Sequence, residues 1–331
     1  MRNYKTWLIT GGCGFIGTAL IKTLIQDGQA AIRVLDNLSV GSREDLKRVC
    51  DFKEISIEAL SSDSNDLSSD KVELVVGDIR NCETCLLCAK DTDVIVHLAA
   101  NTGVAPSVED PKADMMVNVI GTFNVLEAAK RNSVGRFVFA SSGAPAGEIE
   151  PPIHEEIAPR PVSPYGASKL AGEGYCSAYY RTFGIKTVVL RFGNVYGSGS
   201  SHKSSVVAKF IRQGLRGETC EIYGDGNQTR DFIYIDDLVD AILKAALFDK
   251  GGEIFQIATS KEHTVNEVAE ILKEELGQKG AILRIEHSSP RKGDVRRNFS
   301  DTAKARKYLG WQAEVNLREG IRRTVDWFSS V

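Results

Sequence analysis

A chain of 331 residues exceeds one typical domain and falls short of three, so one large domain or two fused ones is the expectation. With 42% hydrophobic and 26% charged residues it has the composition of a soluble globular protein, and a net charge of −3 offers no basic footprint for nucleic acid. No apolar stretch approaches a membrane span, and "MRNYKTWLIT" runs into a strand pattern without an apolar leader, so a cytoplasmic protein with no membrane partner is expected.

Short β-branched runs alternate with helical patterns through the first half. Strands are predicted at 7–10, 32–35, 72–76, 94–98, 136–140 and 186–190, with helices at 15–26, 113–131 and 165–182. The strands are apolar on both faces, as in a parallel sheet covered by helices. That alternation implies right-handed βαβ units and an α/β fold with a doubly wound parallel sheet. "SSDSNDLSSD", residues 61–70, reads as a polar surface insertion. Seven cysteines without framework spacing fit a reducing compartment. Cys82, Cys85 and Cys88 in "CETCLLC" have the spacing of one side of a helix and no nearby fourth ligand, so packing is expected and no metal.

After residue 190 the rhythm changes. A Gly/Ser-rich loop, "RFGNVYGSGSSHKSS", leads to a helix at 205–214 and short strands near 219–223 and 232–235. "TVNE" (264–267) has the form of a capping box and opens an amphipathic helix, while "EIFQIA" (253–258) is expected to return to the main sheet. The partition is therefore a dinucleotide-binding domain over 1–192 plus about 232–262, and a smaller α/β lobe over 193–231 and 263–331. A basic cluster, Arg291, Lys292, Arg296 and Arg297, is either a solvated face or a pocket for an anion.

Two stretches carry chemistry. "WLITGGCGFIG" sets Gly11, Gly14 and Gly17 between the first strand and the first helix, where glycines allow close approach of backbone to a pyrophosphate and the helix start offers N–H groups. Asp36 ends the second strand where a carboxylate can hold ribose hydroxyls, and its charge favours NAD over NADP. Asp78 and Ile79, after the third strand, are candidate adenine contacts or a plain turn. The second stretch is "SPYGASKLAGE" (163–173). Tyr165 and Lys169 are four apart near a helix start, so the ammonium and the helix dipole both favour the phenolate of a side chain whose ordinary pKa is about 10. Ser142 ends the fifth strand, at the edge where ligands of such folds bind.

At these residues the chain resembles the extended short-chain dehydrogenase/reductases, in particular the nucleotide-sugar epimerases and dehydratases. The resemblance is carried by "TGGCGFIG", "DNLSVGSRE", "GDIR", "HLAA", "NVIGTFNVLEAA", the Ser pair 141–142, "YGASK", "LRFGNVYG", "GDGNQTRDFIYIDDLV" and "PRKGDV", in order along nearly the whole chain. It implies Tyr165 as base, Lys169 bridging Tyr165 to the nicotinamide ribose, and Ser142 bonding the sugar. It also implies an NAD set that adds Phe15, Ile16, Asn37, Leu98, Ala99, Ala100 and Asn118 to the residues above. For a UDP-sugar it implies Asn194, Arg230 and Arg291 on the pyrophosphate, Asp294 on a ribose and Tyr223 beside the base, with Val207 also in the substrate set. A homodimer through helices 113–131 and 165–182 is a further implication.

Gly143 and Ala144 stand where related dehydratases and decarboxylases carry a carboxylate, which leaves oxidation and return reduction at C4, an epimerisation. Pro145 and Ala146 replace a common Val-Tyr pair, and Asn298 stands where glucose-restricted relatives have Tyr. Both changes point to an N-acetylhexosamine or a hexuronic acid destined for surface polysaccharide, with His202 and Lys203 as either carboxylate contacts or solvated loop. An NDP-sugar 4-ketoreductase and a non-catalytic dinucleotide sensor are the rival readings.

Overall fold

The computed structural model describes residues 6–28, 31–61, 72–290 and 295–330. Seven strands come first in the chain: β1 (Thr6–Thr10), β2 (Ala31–Asp36), β3 (Lys53–Glu54), β4 (Val72–Val76), β5 (Val94–His97), β6 (Arg136–Ser142) and β7 (Lys186–Phe192). With Glu253–Ile257 they form one eight-stranded sheet in the order Glu253–Ile257, β7, β6, β5, β1, β2, β4, β3. The pairings β5–β6, β1–β5, β1–β2, β2–β4 and β3–β4 are parallel. The strand order reverses beside β1, and such a reversal opens a crevice at the carboxyl ends of the strands. β3 was not anticipated: it is two exposed residues at the sheet edge, too short to leave a period.

The chain divides into two compact units. One holds the residues through Gly147 together with Ala158–Arg191 and Ala241–Phe255; the other holds Glu148–Ile157, Phe192–Asp240 and the chain from Gln256 onward. The expected partition gave all of 232–262 to the first domain, whereas only 241–255 group with it here.

The first unit's core is built from β-branched and aromatic residues of the strands, among them Ile95, Phe137, Phe139 and Val189, against helix residues such as Val125, Leu126 and Cys176. Cys85 and Cys88 lie in that core on the helix Cys82–Cys88, and no group of potential metal ligands occurs among the described residues. The span 113–131, expected as one helix, differs. Asp110 caps it, accepting from the Ala113 N–H at 2.9 Å, and Pro111 opens it. It then widens into a π-helical turn over Met116–Gly121 before resuming as Thr122–Arg131. Hydrophobic spacing does not announce such a widening, which often accompanies functional sites.

In the second unit, helices Val206–Leu215, Val265–Gln278 and Leu317–Phe328 accompany three two-stranded ribbons. The capping box forms: the Thr264 hydroxyl accepts from the Glu267 N–H at 3.0 Å while Glu267 accepts from the Thr264 N–H at 2.9 Å. Asp231, fully buried, accepts from the N–H and hydroxyl of Thr259 and from the N–H groups of Ser260 and Ser300.

Candidate active site

β1 ends at Thr10, and the residue that follows, Gly11, has a φ of 70°, a left-handed conformation open to glycine. A Cβ there would stand 2.8 Å from the Ala99 nitrogen, and one at Gly17 would come 2.5 Å from the Gly11 carbonyl oxygen. Helix Phe15–Gln26 starts after Gly14, which brings no side-chain cap to its first turn. A turn of bare backbone at a helix N-terminus is the cradle a pyrophosphate fits. Phe15 and Ile16 are half-buried in that first turn.

Asp36 does more than its position at the end of β2 suggests. Its Oδ2 accepts from the Cys13 N–H at 2.9 Å and its Oδ1 from the Leu38 N–H at 2.8 Å, so the carboxylate itself ties the glycine turn to β2. Burial raises its pKa while these two N–H groups work against the rise. Each oxygen keeps acceptor capacity for a ribose hydroxyl. Asn37 donates to Asp78 at 3.3 Å, and Asp78 is clasped by the Arg80 guanidinium at 3.0 and 2.7 Å, which holds its carboxyl down to about 2. Ile79 is turned into the core.

Leu98, Ala99 and Ala100 follow β5. The Ala99 N–H donates to the Thr10 hydroxyl at 3.3 Å. His97 behind them contacts Thr10 Oγ1 at 2.7 Å and Thr122 Oγ1 at 3.0 Å, and the Thr122 hydroxyl donates to the Asn118 carbonyl at 2.6 Å. Asn118 sits in the π-helical turn. Its Oδ1 accepts from the Asn101 N–H at 2.8 Å, and its Nδ2 lies 2.9 Å from the Asn101 carbonyl, 2.9 Å from Asp114 Oδ1 and 3.2 Å from Ser168 Oγ.

The Ser163 hydroxyl caps helix Pro164–Phe183 through the Gly166 N–H at 3.1 Å, with proline as the first helical residue. That start aligns Tyr165 and Lys169, which are 9% and 4% exposed. The Lys169 ammonium donates to the Ala140 carbonyl at 2.9 Å and lies 5.0 Å from the Phe139 ring centroid and 6.0 Å from that of Tyr165. Ser142 accepts from the Ala144 N–H at 2.9 Å and hydrogen-bonds the Tyr165 side chain. Burial dominates both titrating groups: it pushes the phenol up to about 12, against the Ser142 bond, and pulls the ammonium down to about 8, against Asp114 and Glu173. One helix and one strand end thus bring together a phenol, an ammonium and a hydroxyl, a set able to move a proton at a carbinol oxygen. Pro145 and Ala146 form a buried 3-10 turn beside them.

Of the residues expected on substrate, Asn194 is exposed, with its Nδ2 3.5 Å from the Asp231 carbonyl. Arg230 donates to the carbonyls of Thr229 and Val295, both at 2.7 Å. Lys203 donates to the Val195 carbonyl at 3.3 Å, and burial holds its ammonium down to about 8. Lys209 stands 5.9 Å over the Tyr223 ring. Asn298 is half-buried. Val207, in the first turn of helix Val206–Leu215, is 1% exposed. Arg291 and Asp294 lie outside the described residues.

Sequence reasoning passed over three groups near Tyr165: Asp114, His97, and the buried pair of Glu173 with Arg191. Glu173 is four residues past Lys169 on the same helix, a spacing that would have flagged it; Arg191 pairs with it from β7 across a distance in sequence that no local pattern records.

Comparison with known proteins places the chain among named relatives. A family model described as the NAD dependent epimerase/dehydratase family matches residues 7–258. A UDP-glucose 4-epimerase of Mycolicibacterium smegmatis is 38% identical over 326 residues, 97% of each chain. The crystal structure of UDP-glucose 4-epimerase with UDP-glucose from Thermotoga maritima has a TM-score of 0.85 at 35% identity, covering 98% of this chain and 99% of that one. The UDP-N-acetylglucosamine 4-epimerase from Methanobrevibacter ruminantium, in complex with UDP-N-acetylmuramic acid, has a TM-score of 0.86 at 29% identity, covering 100% and 99%.

Proposed function

The chain belongs to the NAD-dependent epimerase/dehydratase family, and on that premise we propose that it inverts C4 of a UDP-sugar, an N-acetylhexosamine or a hexuronic acid, through a 4-keto intermediate. The observation that carries this reading is the half-buried Ser142 hydrogen-bonded to the buried Tyr165, with the buried Lys169 beside it, followed at Gly143 and Ala144 by no carboxylate for elimination or decarboxylation. The likeness to proteins named as UDP-sugar 4-epimerases supports the same choice.

When bound, NAD supplies reversible hydride acceptance, so no redox partner is consumed. The glycine turn with Phe15 and Ile16 holds its pyrophosphate, and Asp36 a ribose. Asn37, Asp78 and Ile79 serve the adenine end, and Leu98, Ala99, Ala100 and Asn118 the remainder. Ser142 orients the C4 oxygen, and Tyr165 removes its proton and later returns it. Burial holds the phenol near 12, so removal depends on positive charge beside it, and Lys169 is the chain's own source. Asn194, Arg230 and Tyr223, with Arg291 and Asp294, bind the UDP portion, where an Arg fork suits phosphate oxygens. Lys203 meets a polar substituent of the sugar, and the small Asn298 admits its bulk.

The enzyme acts in the cytoplasm as a homodimer and serves surface polysaccharide. Exposed Met115, Ile120, Tyr175 and Phe183 on the helices expected to pair support the dimer. The test is to mix the protein with UDP-N-acetylglucosamine, UDP-N-acetylgalactosamine, UDP-glucuronic acid and UDP-glucose, without added nicotinamide, and to follow C4 by proton NMR. Inversion of an N-acetylated or uronic sugar is expected. Turnover appearing only with added NAD, with oxidation at C4 and NADH formed in equal amount, identifies a 4-ketoreductase running in reverse, and none under either condition overturns the reading.

A further inference from the structure

The helical layer that carries Asn118 also buries a carboxylate with no evident counter-ion. Asp114, 1% exposed, lies one turn before Asn118. Its Oδ1 is 2.9 Å from Asn118 Nδ2, while its Oδ2 is buried and takes part in no hydrogen bond. Among the described residues no cation forms an ion pair with it. An isolated buried charge costs several kcal/mol, so its retention calls for something nearby that benefits.

Lys169 is that group. The ammonium is buried, bonded to one carbonyl, and otherwise faces the rings of Phe139 and Tyr165. Asp114 reaches the Lys169 helix through Asn118, whose Nδ2 is 2.9 Å from Asp114 Oδ1 and 3.2 Å from the Oγ of Ser168, the residue before Lys169; of the carboxylates that favour the charged ammonium, Asp114 comes first and Glu173 second. Glu173 is already answered: Arg191 clamps both its oxygens at 2.9 and 2.7 Å, and the Ser141 hydroxyl donates to it at 2.6 Å. The remaining titratable neighbours add no charge. His97 of β5, fully buried, is pushed down to about 3 and stays neutral, and the Cys176 thiol on Lys169's own helix is pushed up by burial. Tyr165 is held up by burial as well, with Asp114 adding to the rise.

We propose that Asp114 is a positioning residue that supplies the uncompensated negative charge keeping the buried Lys169 protonated, while its other oxygen fixes Asn118 in the π-helical turn. The sequence links the two tasks, because Asp114 lies in the helix Pro111–Met115 that runs directly into the widened turn carrying the amide it holds. This rests on Tyr165 and Lys169 acting as the reacting pair. Removing the charge makes proton loss easier at both groups, so both ionisations move to lower pH.

The test reads Lys169 directly and needs no turnover. In the NAD-loaded protein with 15Nζ-labelled lysine, the Lys169 resonance is identified by its absence in Lys169→Met and followed against pH. Asp114→Asn, which keeps the shape, is expected to lower the Lys169 midpoint by about one pH unit. Asp114→Glu, which keeps the charge, is expected to restore most of the shift. A midpoint unmoved in Asp114→Asn overturns the proposal. So does failure of both variants to fold, which would make Asp114 a structural group only. A wild-type protein that turns over no UDP-sugar would instead fail the functional reading and leave this midpoint measurable.

Discussion

Asp231 and Asp237 in the second unit and Asp114 in the first are all shielded from water, at 0%, 7% and 1% exposure, but they are answered differently. Asp231 takes donors from Thr259, Ser260 and Ser300, and Asp237 takes the N–H groups of Glu314 and Val315 at 3.1 and 3.0 Å. Those carboxylates are satisfied by backbone and tie loops in place. Asp114 keeps an oxygen with no donor, on the helical layer that serves Tyr165 and Lys169. Of these three acids, the two closed off by backbone N–H groups hold loops, while the one left electrostatically open is the one proposed to act on Lys169. "QTRDFIYIDDLV" illustrates the mixture: within one family motif, Asp231 and Asp237 hold structure while Arg230 is the proposed phosphate ligand.

Four substitutions bear on that division. Tyr165→Phe should lower turnover about a thousandfold while leaving bound NAD unchanged, since it removes the proton-transferring oxygen alone; dinucleotide content and UDP-sugar turnover measured on one preparation decide it, and wild-type turnover would remove the mechanism. Asp231→Ala strands several buried donors and should cost about 3 kcal/mol in urea unfolding, with kcat of the folded protein near that of the wild type. A large loss of kcat without loss of stability would erase the distinction between the two regions. Gly17→Ala places a Cβ 2.5 Å from the Gly11 oxygen and should cost about 2 kcal/mol along with much of the bound NAD, read by thermal unfolding and cofactor content. Asp36→Asn should weaken NAD roughly tenfold by titration, because the amide can still accept one N–H but no longer two.

The sheet was legible because its strands are apolar on both faces, and β1, β2, β4, β5, β6 and β7 lie within two residues of the positions expected. The Phe15–Gln26 helix and the Thr264 capping box have the same source, a local pattern with a local cause. The π-helical turn was not legible. It depends on Asn118 reaching the Asn101 backbone and on Gly121 lying so close to Ile79 that a Cβ would meet its Cδ1 at 2.5 Å, both contacts with distant chain. For the same reason spacing gave Tyr165 its cation but not its burial. The helix pattern places Lys169 beside the phenol, while the sheet beneath it determines how far desolvation opposes ionisation.

The central claim is that hydrogen leaves C4 and comes back to the same carbon. The direct measurement is turnover of a UDP-sugar deuterated at C4, with no nicotinamide added and the product read by NMR and mass spectrometry. The account predicts an inverted C4 that still carries deuterium, with the bound NAD unchanged in amount. Loss of the label to solvent, or a product that forms only when NAD is supplied and passes its label to NADH, would contradict it.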